Sequence, residues 1–148
     1  MKMRLKAIGA VALLVAGGAV AGEKGTAAEA KALLDKAVAK VEKDGVAKAV
    51  AAFNDPAGGF RDRDLYVFCM DGSYKITAHP DAAVRGTDVP TMKDSKGKAF
   101  GAEMVAAAKK GGGTVEYTWQ NPVSGKVEDK VSYVKKAGDQ YCGVGAYK

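Results

Sequence analysis

The side chains best able to grip a small polar ligand in this 148-residue chain are few. His79, the only histidine, closes the run SYKITAHP and offers both a donor and an acceptor near neutral pH. It can hold a carboxylate through a ring N–H, or simply cap a strand end beside Pro80. Lys130 lies in the run KVEDKVSYVKK, with Ser132 on its own strand face. A lysine there either points to solvent or reaches inward as a counter-charge. Tyr133 falls on the opposite face by strict alternation, so it lines the same pocket only if a bulge intervenes. It is the rival to Lys130 for a hydroxyl contact. Arg61, Arg63 and Arg85 are alternative cations in loops, and Arg85 precedes an irregular segment placed to cover a sheet. Tyr66 and Phe68 share one face of a strand, as do Tyr117 and Trp119. All four can be core or pocket wall. The polar tips of Tyr117 and Trp119 want partners when buried, which makes these two the better wall candidates.

Other chemistries lack their residues. A single histidine, with no G-x-S-x-G turn, leaves nucleophilic catalysis without a base-and-nucleophile set. The glycine runs lack the Lys-Ser/Thr ending of a phosphate loop. Asp62 and Asp64 lie in a charged link and read as surface. No second histidine or paired acidic ligand stands at metal spacing beside His79. Cys69 and Cys142 are too far apart for a CxxC motif, and no CxxCH is present to attach haem. No cofactor or metal is expected.

The elements that must position these residues are legible in the patterning. Lys2, Arg4 and Lys6, the apolar run Ala7 to Val20 and the small-x-small Ala19-Val20-Ala21 read as a secretory signal peptide over residues 1–21. The alternative is an uncleaved N-terminal anchor. Loss of those three basic residues halves the formal net charge of +6, and the remaining lysines are scattered among acids. Nothing here resembles a nucleic-acid surface. Residues 22–148 make one domain.

Thr26-Ala27-Ala28-Glu29 is a capping box that opens an amphipathic helix with Leu33, Leu34, Ala37, Val38 and Val41 as its stripe. Gly45 is placed to break it in two, and Asn54-Asp55-Pro56 ends it. Asp71-Gly72 signals a hairpin between Leu65–Met70 and Ser73–His79. A short helix around Phe100 to Ala108 stops at Gly111-Gly112-Gly113, and strands follow over 114–120, 126–136 and 140–148. Gly143 and Gly145 share a face of the last strand and read as room for a packed helix. The order predicts an α+β fold: a five-stranded antiparallel sheet with helices on one side and a helical crossover after the second strand.

Taken together, the helix ending in AAFNDP, then DLYVF, DGSYKITAHP, GTDVPTMKDSKGKAFGAEMVAAAKKGGG, YTWQNPVSGKVEDKVSYVKK and GVGAY resemble a single Cache domain of type 2, an extracytoplasmic relative of PAS sensor domains. The resemblance covers residues 30–147. It implies a non-catalytic sensor for a small organic acid such as acetate, pyruvate, lactate or propionate, with Lys130 as carboxylate anchor. It also implies a membrane receptor or kinase as partner, and a homodimer through the leading helix. In PAS-like sheets the first and last strands are central antiparallel neighbours, which implies a Cys69–Cys142 disulfide; the alternative is two buried thiols. The chain ends close after its last strand, with no output domain, and so reads as a solitary secreted Cache protein. The competing reading is a dimeric interaction protein whose pocket is vestigial.

Overall fold

The computed structural model describes residues 23–148; the expected signal peptide lies outside them. Helix α1 (Ala27–Asp44) begins as its sequence dictates. Thr26 Oγ1 accepts from Glu29 N at 3.1 Å, and Thr26 N donates to Glu29 Oε2 at 2.8 Å. Its buried face is Ala30, Leu34, Ala37 and Val41, so two alanines bring the helix close to the sheet. Gly45, at φ 86°, stops it and redirects the chain into α2 (Val46–Asn54), which buries Ala49 and Phe53. No helix among the described residues is long and apolar enough to cross a membrane.

The strands are β1 (Arg61–Asp62), β2 (Leu65–Met70), β3 (Ile76–Ala78), β4 (Gly112–Gln120), β5 (Val127–Ala137) and β6 (Gln140–Tyr147). A single 3-10 turn at Val89–Thr91 and helix α3 (Phe100–Lys109) cross from β3 to β4. All pairings are antiparallel, in the order β1-β2-β6-β5-β4, with β3 also beside β2. The expected five strands are present, and the two-residue β1 is added to them.

Helices cover both faces of this sheet, where the sequence reading put them on one. Leu65, Val67, Cys69, Cys142, Val144 and Ala146 pack with α1 and α2. Tyr66, Phe68, Met70, Val115, Tyr117 and Val134 pack with α3 and the crossover. The physical reason is visible in β2, LYVFCM, which is apolar at every position and buried throughout. An unbroken apolar strand has no face to offer to water. The outer edge of β4 is also covered: Thr118 N donates to Asp94 Oδ2 at 3.1 Å, and Lys98 Nζ reaches Glu116 O.

The first hairpin is not the two-residue turn that Asp71-Gly72 signals. Asp71 Oδ1 accepts from both Ser73 N and Lys75 N, and Tyr74, not Gly72, takes the left-handed conformation at φ 60°. Residues 74–76 then hydrogen-bond to the crossover, through Ile76 N to Thr87 O and Val89 N to Tyr74 O. That diversion shortens β3 to three residues and places a register shift at Cys69/Met70.

Cys69 and Cys142 are direct cross-strand partners, 4.0 Å apart at Cα, and form a disulfide. It joins the two central strands across 73 residues of chain. Chain-entropy reasoning assigns such a bridge about 4 kcal/mol. Reduction, or a Cys69→Ser/Cys142→Ser variant, is expected to lower the urea midpoint by a corresponding amount; an unchanged midpoint would mean the bridge constrains nothing.

Candidate functional site

The sheet face opposite α1 carries the polar chemistry. On β5, Lys130 and Ser132 point to this face; on β2, Tyr66 and Phe68; on β4, Tyr117 and Trp119; on β6, Gly143, Gly145 and Tyr147. Lys130 is 1% exposed, and its Nζ donates to Tyr66 Oη at 2.8 Å. The ammonium lies 4.1 Å from the Tyr66 ring centroid, 5.0 Å from Tyr147, 5.7 Å from Phe68 and 5.9 Å from Tyr117. These rings offer cation–π attraction, which replaces only part of the lost hydration. No carboxylate among the described residues is within ion-pairing distance of it. Burial lowers its pKa to about 7, against which the more distant Asp64 carboxylate pulls upward.

The glycines of β6 explain how a lysine lies flat here. A Cβ on Gly145 would overlap Lys130 Cε and Ser132 Oγ, and one on Gly143 would overlap the Phe68 ring. They leave room for site side chains, not for a packed helix as the sequence suggested.

His79 is buried and fixed on three sides. Its N–H donates to Asn54 Oδ1 at 3.0 Å, its carbonyl accepts from Arg85 Nε at 2.8 Å, and its Nδ1 accepts from Asp81 N at 3.0 Å. With Nδ1 an acceptor, the neutral ring carries its proton on Nε2. Burial, and then the charge of Lys130, lower its pKa to about 3, so the ring is neutral at physiological pH. The ring meets Tyr66 edge-on at 5.1 Å and Trp119 at 6.1 Å.

Tyr66, Phe68, His79, Tyr117 and Trp119 line one apolar hollow with Phe100, Met92 and Met104. Its volume is about 20 Å³, room for about one water. Phe100 stacks on Tyr117 at 4.3 Å to close one side, and the Tyr117 hydroxyl is paired with Ser132 Oγ at 2.9 Å. Tyr66, His79 and Trp119 also border an open cleft of about 610 Å³. Tyr66 therefore touches the buried cation, the one-water hollow and the open cleft.

The structure thus brings six of the eight sequence candidates together. Tyr133 is not among them: no bulge interrupts β5, so it faces α1, with Lys31 Nζ 4.9 Å from its ring centroid. Arg85 supports the His79 backbone and does not line the hollow. Arg61 donates to Asn54 O, and Arg63 pairs with Glu29 and Asp62. Sequence reasoning passed over Tyr147, which shares the Gly143/Gly145 face by alternation. It also placed Asp64 on the surface, whereas this residue is 1% exposed and accepts from Gly25 N at 2.8 Å and Asn121 Nδ2 at 3.1 Å.

Comparison with known proteins places the fold. The chain matches the Single Cache domain 2 family over residues 9–147, a span that begins within the expected leader. It belongs to that family and is a non-catalytic ligand-binding sensor domain. A methyl-accepting chemotaxis protein from Vibrio parahaemolyticus is similar in structure, with TM-score 0.67 and 21% identity over 81% of this chain and 86% of that one. A Cache chemosensory domain, solved as the structural basis for carboxylic acid recognition, gives TM-score 0.59 at 25% identity, covering 79% of this chain and 84% of its own. In sequence, the sensor histidine kinase MctS of Rhizobium johnstonii is 37% identical over 73 residues; these are 49% of this chain and 16% of the kinase.

The buried groups set the pH dependence of stability. Folded Lys130 releases its proton near pH 7 and the unfolded residue near its ordinary 10.5, so the unfolded state binds more protons between these values. Stability therefore rises with pH across that window, as it does between about pH 3 and 6.5 through His79. Above pH 10 the burial-raised tyrosines reverse the slope. Urea titrations at stepped pH should show the rise above pH 7 in the wild type and its loss in Lys130→Met. An equal slope in both would place the titration elsewhere. Gly145→Ala should cost about 1–3 kcal/mol through overpacking against Lys130; a neutral effect would contradict the close approach.

Proposed function

We propose that this chain is an extracytoplasmic receptor module that captures a short monocarboxylate such as acetate, propionate, lactate or pyruvate, and reports its occupancy to a membrane receptor or kinase partner. One observation carries the reading. Lys130 is a buried amine with no ion-pair partner among the described residues, and its Nζ lies against the Tyr66, Phe68 and Tyr117 rings that line an aromatic hollow. Burial of such a group is costly unless a charge of opposite sign meets it. A ligand carboxylate supplies that charge. The Tyr66 hydroxyl and His79 Nε2–H stand beside it as neutral donors, and Phe100, Met92 and Met104 face the acid's short apolar tail. The two methionines are flexible enough to widen a one-water hollow. The carboxylic acid recognition described for a structural relative supports this ligand class. The disulfide and the leader-like residues 1–21 support an extracytoplasmic location.

The small volume of the hollow favours a second reading, a dimeric interaction protein with a vestigial pocket. Thermal-shift and calorimetric titrations with two- to four-carbon acids separate the two. Ligand at 100 times its dissociation constant should stabilise the fold by about 2.7 kcal/mol. Lys130→Met should weaken binding by roughly 10- to 100-fold, the worth of a charge-assisted hydrogen bond. Affinity should fall as pH rises above 7, because the bound anion needs the charged amine. No shift with any of these acids would leave the interaction protein standing.

A further inference from the structure

We infer that Lys130 forms a reversible imine with 2-oxo monocarboxylates admitted to the hollow, so that acids bearing an adjacent carbonyl are held covalently and simple acids are held as ions. The inference rests on the reading of the hollow as a carboxylate site. It adds a reaction which that reading does not contain.

The geometry meets three requirements of amine–carbonyl condensation. The nucleophile must be an amine that is free of a carboxylate, because a fixed ion pair keeps the nitrogen protonated. Lys130 has no such partner among the described residues, and its only hydrogen bond is to the Tyr66 hydroxyl. A lysine desolvated in an apolar pocket is activated in this way, and its lowered pKa leaves a share of neutral amine at physiological pH. A proton donor must stand at the nitrogen, to meet the oxygen as it becomes an alkoxide. Tyr66 Oη lies 2.8 Å from Nζ, and burial keeps that hydroxyl protonated. Water must be scarce so that the imine is not at once hydrolysed. Lys130 is 1% exposed and enclosed by four aromatic rings.

The step balances without an oxidant or reductant. The Nζ lone pair forms a bond to the carbonyl carbon while the C=O π bond breaks, and the oxygen takes a proton from Tyr66, which recovers one from the nitrogen. The carbinolamine then expels that oxygen as water, using the last nitrogen proton, and the C=N bond forms. Amine and 2-oxo acid give imine and water. The imine so formed is neutral, and uptake of one proton from water at its nitrogen places a positive charge beside the acid's own carboxylate.

Borohydride trapping tests this on the intact domain. Incubation with pyruvate and borohydride, then peptide mass spectrometry, should give one reduced adduct per chain, on Lys130. Acetate should form no adduct and should compete with the trapping of pyruvate. Tyr66→Phe should slow trapping by roughly 100-fold, and Lys130→Met, which has no nucleophilic amine, should abolish it. If pyruvate binds by calorimetry and yet no adduct forms on Lys130, or adducts spread evenly over surface lysines, the imine is overturned and the carboxylate site stands. If neither acid binds and nothing is trapped, both fail together.

Discussion

The architecture of this domain depends on one costly act, the placing of a lysine amine in a dry aromatic enclosure. An amine there loses hydration worth several kcal/mol, and aromatic faces with one hydroxyl return only part of it. The residues around Lys130 make sense as answers to that cost. Gly145 gives up its side chain so that the lysine stem can lie against the sheet. Tyr66 supplies the single hydrogen-bond acceptor. Asp64 acts from a distance, its own oxygens occupied by Gly25 and Asn121, and so leaves the amine free. On the proposed reading, a ligand carboxylate brings the charge that this amine lacks.

The scaffold keeps that site rigid through strands that serve two cores at once. Strands β2 and β6 present Tyr66, Phe68 and Gly145 to the hollow, and Val67, Cys69, Cys142 and Val144 to the helices. The disulfide lies on the helix side, where it ties the same two strands that carry the hollow. Asn54, at the end of α2, holds both Thr77 and His79 through its side-chain amide. Asp64 ties the approach to α1 to Asn121, on the border of the open cleft. Helices α1 and α2 on one face and the hollow on the other are thus joined by short polar contacts, which is where a change in occupancy would reach the N-terminal helix.

Much of this was legible in the residues. The capping box, the Gly45 break and the order of the elements follow from period and turn chemistry. Alternation puts Lys130 and Ser132 on one face but leaves open whether the lysine faces solvent, and its inward role comes from the family resemblance. What was not legible had specific causes. Asp71-Gly72 suggests a tight hairpin, but the Asp71 carboxylate and the pull of the crossover on residues 74–76 give a different turn. Helices on two faces were signalled by the unbroken apolar run of β2, a weaker sign than the amphipathic helix beside it. Asp64 looked exposed because its neighbours are charged; its partners lie 39 and 57 residues away, where no local pattern reaches. The role of Gly143 and Gly145 depended on which large side chains would lie across them, a fact of register between strands.

The most direct measurement is the titration of the Lys130 amine itself, by NMR of protein carrying isotope-labelled lysine, with and without a saturating short monocarboxylate. The account requires an amine that titrates near pH 7 in the free protein and moves well upward when the acid binds. An amine that titrates near 10.5 and ignores the acid would contradict it, for the cation would then be neither enclosed nor waiting for a charge.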